Sequence, residues 1–154
     1  MTREVITNAL LVIATVVAVS IFTTAMIPSV RDMSNTYYSL TSKLGERVGT
    51  DIRIIFVEVD DTHLTFWVKN IGSSRIAVPL LNLSDVFIVS NTTSYHFTLS
   101  SSSVSYTIEN GDGDNYWEDG ETLKVDISVS LESGDYTLTF VLYNGVEDSE
   151  IFSR

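Results

Sequence analysis

The sequence predicts an all-β, immunoglobulin-like sandwich that is preceded by one long N-terminal transmembrane α-helix. Two observations carry this prediction. Residues 5–30 contain no charged side chain, and from Asp51 onward short apolar runs alternate with turn residues. The chain has 154 residues, which is the length of about one domain. We therefore divide it into a membrane anchor with an extended helix at residues 1–48 and an extracytoplasmic β-sandwich at residues 51–154.

The apolar segment at the N-terminus predicts a retained membrane anchor. Val5–Ile27 has 23 residues and measures about 35 Å as a helix, whereas a bilayer core is about 30 Å thick. A cleaved signal peptide is the alternative, but its apolar core is usually only about 7–15 residues long and follows a basic segment. Arg3 is offset here by Glu4, so we expect the helix to stay in the membrane.

The helical pattern continues beyond Pro28 to about residue 48, with a bend expected at the proline. Apolar residues recur at intervals of four, three, four and four, which places them on one stripe of a helix. The stripe consists of Met33, Tyr37, Leu40, Leu44 and Val48. It either packs against the chain's own domain or pairs with a second copy, and the sequence leaves both open.

Nine candidate strands follow the helix and are separated by Gly, Asn, Asp and Ser clusters. They are Ile52–Val59, His63–Asn70, Ile76–Leu80, Val86–Val89, Tyr95–Leu99, Val104–Ile108, Thr122–Leu131, Asp135–Asn144 and Val146–Phe152. Asn144 and Gly145 predict a two-residue hairpin turn. Tyr136 enters its strand after Gly134 and Asp135, which is equally typical of a tyrosine corner and of an ordinary core tyrosine.

The charge and the residue types exclude several functions. Residues 51–154 carry 17 acidic and 5 basic side chains, a net charge of −12, so the domain repels phosphate backbones and nucleic acid is not an expected partner. The chain has no cysteine, which excludes thiolate chemistry. His63 and His96 are expected on strand faces without a nucleophile motif near any serine. We therefore predict that the protein is not an enzyme.

One acidic segment has the spacing of a twelve-residue calcium loop. Counted from Asn110, oxygen ligands fall at positions 1, 3, 5, 7, 9 and 12. These residues are Asn110, Asp112, Asp114, Tyr116 through its carbonyl, Glu118 and Glu121. Asn115 stands where such loops carry glycine, and no helices flank the segment. The spacing predicts a possible Ca²⁺ site, and a loop closed by Asx turns without metal is the alternative.

Four segments together resemble a known family. They are Gly49–Ile55 (GTDIRII), Thr65–Ser73 (TFWVKNIGS), Asn110–Thr122 (NGDGDNYWEDGET) and Gly134–Thr137 (GDYT). With the N-terminal helix they cover essentially the whole chain, which is similar to the archaellum-associated G protein, the FlaG type of archaeal motility machines. The sister F protein shares the same helix-plus-sandwich plan.

The resemblance implies a non-catalytic stator component. Such a protein is anchored by a single pass in the cytoplasmic membrane, and its sandwich lies in the pseudoperiplasm. It self-assembles into an oligomer or short filament and, together with the F-type partner, attaches to the S-layer. Two alternatives remain at this point: a pilin- or archaellin-like filament subunit, and a membrane-tethered module that binds an extracellular ligand or calcium.

Overall fold

The computed structural model describes residues 2–154, except for the side chain of Lys43. It divides into two compact units, residues 1–42 and residues 43–154. Helix α1 (Thr2–Gly49) contains Pro28 and is long and apolar enough to cross a membrane. Six of its hydroxyl side chains donate to backbone carbonyls of the preceding turn, as Ser20 does to Val16 over 2.7 Å, so these six need no outside partner. The predicted helix is confirmed, with bounds slightly wider than expected.

Ten strands and one short helix follow α1. They are β1 (Ile52–Val59), β2 (His63–Asn70), β3 (Ile76–Ala77), α2 (Val78–Leu81), β4 (Asp85–Val89), β5 (Ser94–Thr98), β6 (Val104–Ile108), β7 (Tyr116–Trp117), β8 (Thr122–Ser128), β9 (Asp135–Val141) and β10 (Glu147–Ser153). Two antiparallel sheets have the orders β1-β2-β8-β6 and β10-β9-β4-β5, and β3 pairs with β7. The predicted all-β sandwich is confirmed.

The core lies between the two four-stranded sheets. In β8, Leu123, Val125 and Ile127 are fully buried while the residues between them are partly exposed, as the unbroken alternation predicts. Phe66 of β2 meets Phe140 of β9 edge to face, with ring centroids 5.8 Å apart. Because these rings come from different sheets, their contact holds the two layers together.

The structure corrects two local predictions. The segment Ile76–Leu80 is not a strand throughout, because β3 ends at Ala77 and Pro79 lies in the first turn of α2, where its missing N–H costs nothing. The turn at Asn144 is longer than two residues. Gly145 donates to the Leu142 carbonyl, Leu142 donates to the Val146 carbonyl, and Gly145 has φ +77°, so a turn closed by a left-handed glycine joins β9 to β10.

The tyrosine corner is present. Tyr136 is buried at the start of β9, and its hydroxyl donates to the backbone carbonyl of Glu132 over 3.1 Å. This bond ties the approach of β9 to the chain four residues upstream. Of the two alternatives for Tyr136, the corner is therefore confirmed.

Candidate functional site: the helix socket

The end of α1 is bonded directly to the turn between β9 and β10, and all residues involved belong to the unit of residues 43–154. The Tyr143 hydroxyl donates to the Glu46 carboxylate over 2.6 Å. The Arg47 guanidinium donates to the Gly145 carbonyl over 3.2 Å. Asn144 donates to the Thr50 hydroxyl, which itself donates to the Glu46 carbonyl. Side chains of the turn therefore hold the last helical turn.

The loop after β2 receives the backbone that leaves the helix. The N–H groups of Ile71 and Gly72 both donate to the Asp51 carbonyl, over 2.9 and 3.0 Å, and Ser74 donates to the Gly49 carbonyl over 2.9 Å. A Cβ atom at Gly72 would lie 2.5 Å from the Gly49 carbonyl oxygen, which is too close for any side chain. Position 72 therefore requires glycine because two backbones approach each other there.

Asn70 is fully buried and organises this loop. Its amide nitrogen donates to the carbonyls of Ser74 and Trp117, over 3.0 and 3.2 Å, and its side-chain oxygen accepts the Gly72 N–H over 3.0 Å. A buried amide is stable only when its polar atoms are paired. Asn70 meets this condition by joining two segments that are far apart in the sequence.

The segment from Trp117 to Glu121 is the second of these. The Trp117 indole is fully buried and donates to the Glu121 carbonyl over 3.0 Å. Gly120, at φ +82°, donates to the Asn70 carbonyl, and Asn70 donates to the Glu121 carbonyl. We call residues 70–74, 117–121 and 143–145 the helix socket. The socket therefore brings together two of the motifs that carry the family resemblance. They are TFWVKNIGS and NGDGDNYWEDGET.

The surroundings of Tyr143 in the socket raise the pKa of its phenol. Partial burial, the hydrogen bond to the Glu46 carboxylate and the negative charge of that carboxylate together raise the pKa of the phenol from 10.0 to about 12. These causes disfavour the phenolate, since it would lose solvent and face a second negative charge. The hydroxyl of Tyr143 therefore stays protonated and donates to Glu46 at neutral pH.

The predicted calcium ligands lie along the loop that enters the socket, and the side-chain oxygens of four of them accept hydrogen bonds from nearby backbone N–H groups. Asn110 accepts the Thr122 N–H, Asp112 accepts that of Asp114, and Asp114 accepts that of Tyr116. Glu121 is buried and accepts the Glu118 N–H over 2.7 Å.

Tyr116 pairs with Ala77 in the small sheet and carries the Arg75 guanidinium 4.7 Å above its ring. Within residues 2–154, no group of three or more His, Asp or Glu side chains is placed to hold a metal ion. The calcium site stays a prediction that a titration must decide.

The two histidines lie on the surface of the sandwich. His96 contacts the Asp85 carboxylate over 2.8 Å and stacks on Phe87. His63 contacts the Thr62 hydroxyl at the beginning of β2. Both lie in strands, as the sequence predicts; His96 is exposed and His63 is partly exposed.

The outer faces of the two sheets differ in charge. On the face of β1, β2 and β8, Lys124 lies over Trp67 and near Glu109, and the exposed ring of Phe56 packs beside Trp67. On the other sheet, the two central cross-strand rows carry Ile151, Thr137 and Val89, and Ser149, Thr139 and Phe87. None of these six side chains is charged, and Ile151 is 74% exposed. Asp85 and Glu147 lie in the next row of the same face, so only these two rows lack a carboxylate that would repel another acidic surface.

These features define a class of protein in which the last turn of a long apolar helix is bonded to a β-sandwich. Archaeal-type flagellins match residues 3–151 of the chain. The chain belongs to this family.

An uncharacterized protein of Archaeoglobus fulgidus is 50% identical over 161 residues, and the match covers 99% of both chains. The sandwich has the fold of the archaellum periplasmic stator protein FlaG of Sulfolobus acidocaldarius, with a TM-score of 0.54 and 24% identity over 67% of this chain and 99% of that one. The FlaF and FlaG complex of the same organism gives a TM-score of 0.51 and 23% identity, over 66% and 87%. The likeness to the G protein is thus confirmed at the level of fold.

We predict that Asn70→Ala destabilises residues 43–154 by about 2–4 kcal/mol, because several buried polar groups lose their partner at once. Chemical denaturation of the full chain in detergent, followed by tryptophan fluorescence, measures this. Asn82→Ala is the matched control, since Asn82 is exposed and bonds only the Tyr106 hydroxyl. We expect the control to cost less than about 1 kcal/mol. Equal losses in the two variants would contradict a structural role for Asn70.

The second prediction concerns alkaline pH. Because the pKa of Tyr143 is raised from 10.0 to about 12 in the folded protein, its contribution to stability is complete below pH 10 and lost as the pH rises to about 12. In Tyr143→Phe this titration is absent and the bond to Glu46 is missing at every pH. The difference in unfolding free energy between wild type and variant should therefore be constant below pH 10 and shrink above it. A difference that stays constant up to pH 12 would show that the Tyr143 pKa is not raised.

Proposed function

We propose that the chain is a membrane-anchored structural subunit of the archaellum, on the stationary side of the motor, and that it performs no catalysis. The observation that carries the proposal is the FlaG fold of the sandwich, in a chain that also contains a helix long and apolar enough to cross a membrane. The last turn of α1, at Glu46 and Arg47, is bonded to the sandwich through the helix socket. A stationary part must resist force, and these bonds hold the end of the helix against the sandwich.

The proposed location follows from the helix and the acidic domain. The helix spans the cytoplasmic membrane once, and residues 51–154, with net charge −12, lie in the pseudoperiplasm. There the sandwich binds the F-type partner and, with it, the S-layer. Support for the F-type partner comes from the complex of FlaF and FlaG, whose G-type chain shares this fold.

Self-assembly of the subunit is supported by the apolar stripe of α1. Leu44 and Val48 belong to the same unit as the sandwich, yet they are 60% and 86% exposed. The chain's own domain therefore does not cover them. Met33, Tyr37 and Leu40 are also more than half exposed. Of the two alternatives for this stripe, this exposure supports pairing with a second copy.

Family membership favours one second candidate. Because the matching family is that of archaeal-type flagellins, the chain could instead be a subunit of the filament itself. Filaments sheared from cells distinguish the two functions, since a filament subunit is their main component whereas a stator subunit stays with the membrane. A shortened mature N-terminus, measured by mass spectrometry, would also favour the filament subunit.

Calcium binding by the Asn110–Glu121 loop is a separate proposal. Calorimetric titration of the full chain in detergent with CaCl₂ should release or absorb heat, and the Ca²⁺-bound chain should melt at a higher temperature. Glu121→Ala should remove both effects. Absence of any heat and melting change in the wild type would refute the proposal without affecting the structural function.

Swimming of the native archaeon tests the proposed function. We expect that deletion of the gene abolishes swimming, that the wild-type chain restores it, and that a chain with Leu44→Lys and Val48→Lys does not, because charge on the stripe opposes pairing. Ser39→Lys with Ser42→Lys is the matched control, since these exposed residues lie on the opposite side of the helix. Normal swimming of the deletion strain would contradict the proposal, and normal swimming of the stripe variant would contradict the pairing.

A further inference from the structure

The sandwich contains two N-x-S/T sequons, Asn82–Ser84 and Asn91–Thr93, which differ in how accessible they are in the folded chain. Such a sequon can be modified only where the asparagine amide and the hydroxyl two residues later are both accessible to an enzyme. The two sequons lie in different local structures, so their accessibility can be compared directly.

The first sequon is built into the fold. Asn82 caps the C-terminus of α2, and its side-chain oxygen accepts the Tyr106 hydroxyl over 2.9 Å. Ser84 is fully buried, and its backbone is bonded on both sides, to the Leu81 carbonyl and to the Leu99 N–H. To expose the Ser84 hydroxyl, the chain between α2 and β4 would have to leave the core.

The second sequon occupies the tip of the hairpin between β4 and β5. Ser90 donates to the Thr93 carbonyl over 2.8 Å and closes the turn. Asn91, Thr92 and Thr93 are all exposed, and within residues 2–154 the Asn91 amide forms no side-chain hydrogen bond. Its nitrogen and the Thr93 hydroxyl are therefore available without unfolding.

We propose that Asn91 carries an N-linked oligosaccharide and that Asn82 does not. The donor would be an oligosaccharide linked through phosphate to a membrane lipid. The Asn91 amide nitrogen forms a bond to the anomeric carbon of the sugar while the bond from that carbon to the phosphate oxygen breaks. The lipid phosphate leaves with the electron pair, and one amide proton is lost to a base. The inference rests on the proposed function, because it requires the sandwich to lie outside the cell.

A glycan at Asn91 would also protect an edge of the sandwich. Strand β5 is the terminal strand of its sheet, next to β4, so one row of its backbone groups has no neighbouring strand. Exposed edges invite pairing with other chains. A hydrated sugar at the tip of this hairpin obstructs an approaching strand, whereas the opposite edge at β10 lies against β1, where the Ile54 N–H donates to the Asp148 carboxylate.

The test uses the full chain purified from membranes of the native archaeon. A protease that cleaves before Asp85 separates the two sequons, and mass spectrometry of the fragments identifies the modified one. We expect added hexose-type mass on the Asn91 fragment, its loss in Asn91→Gln, and an unchanged increment in Asn82→Gln. An unmodified Asn91, or a sugar on Asn82, overturns the inference.

A second measurement distinguishes a wrong glycan proposal from a wrong proposed function. Since the chain lacks cysteine, Ser102→Cys introduces one exposed thiol in the sandwich. A membrane-impermeant maleimide labels it in intact cells if the sandwich lies outside. If the thiol is labelled and Asn91 is unmodified, the glycan proposal is wrong and the proposed location stands. If the thiol is not labelled, both the glycan proposal and the proposed location are wrong.

Discussion

The buried side chain of Asn70 is the constraint on which the contacts between the last turn of α1 and the sandwich depend. It pairs with Gly72, Ser74 and Trp117, so it fixes both the loop that receives the end of the helix and strand β7 within the acidic loop. Removing such an amide leaves carbonyl and N–H groups buried without partners, which costs more than the bonds themselves contribute. Residues distant in sequence therefore act as one structural unit around a single asparagine.

The sequence predicts the architecture well because its patterns are regular over many residues. The apolar run at Val5–Ile27 fixes the helix, and the alternation from Thr122 to Ser128 fixes a strand with one buried face. Prediction fails where the structure depends on contacts between distant segments. Pro79 and Gly145 are local signals, but only tertiary contacts decide that one begins a helical turn and that the other closes a longer hairpin.

The sequence shows the motifs whose residues form the socket, but it does not show that these residues contact one another. Asn70, Gly72, Trp117 and Gly120 carry the family resemblance, yet nothing in their spacing shows that they meet. A glycine after a strand is typical of any turn, and an asparagine at a strand end is usually exposed. The full burial of Asn70 and the approach of Gly72 to the Gly49 carbonyl become visible only when the chain is folded.

The same contacts connect the acidic loop to the helix. Glu121 uses one carboxylate oxygen for the Glu118 N–H, while its carbonyl accepts from the Trp117 indole and from Asn70. A metal ion bound through that carboxylate would compete for the oxygen that orders the turn before β8. Any ligand of the loop therefore acts on the socket as well, because Glu121 belongs to both. Through Glu121 the acidic loop is bonded to Asn70, and Asn70 orders the loop that receives the end of α1.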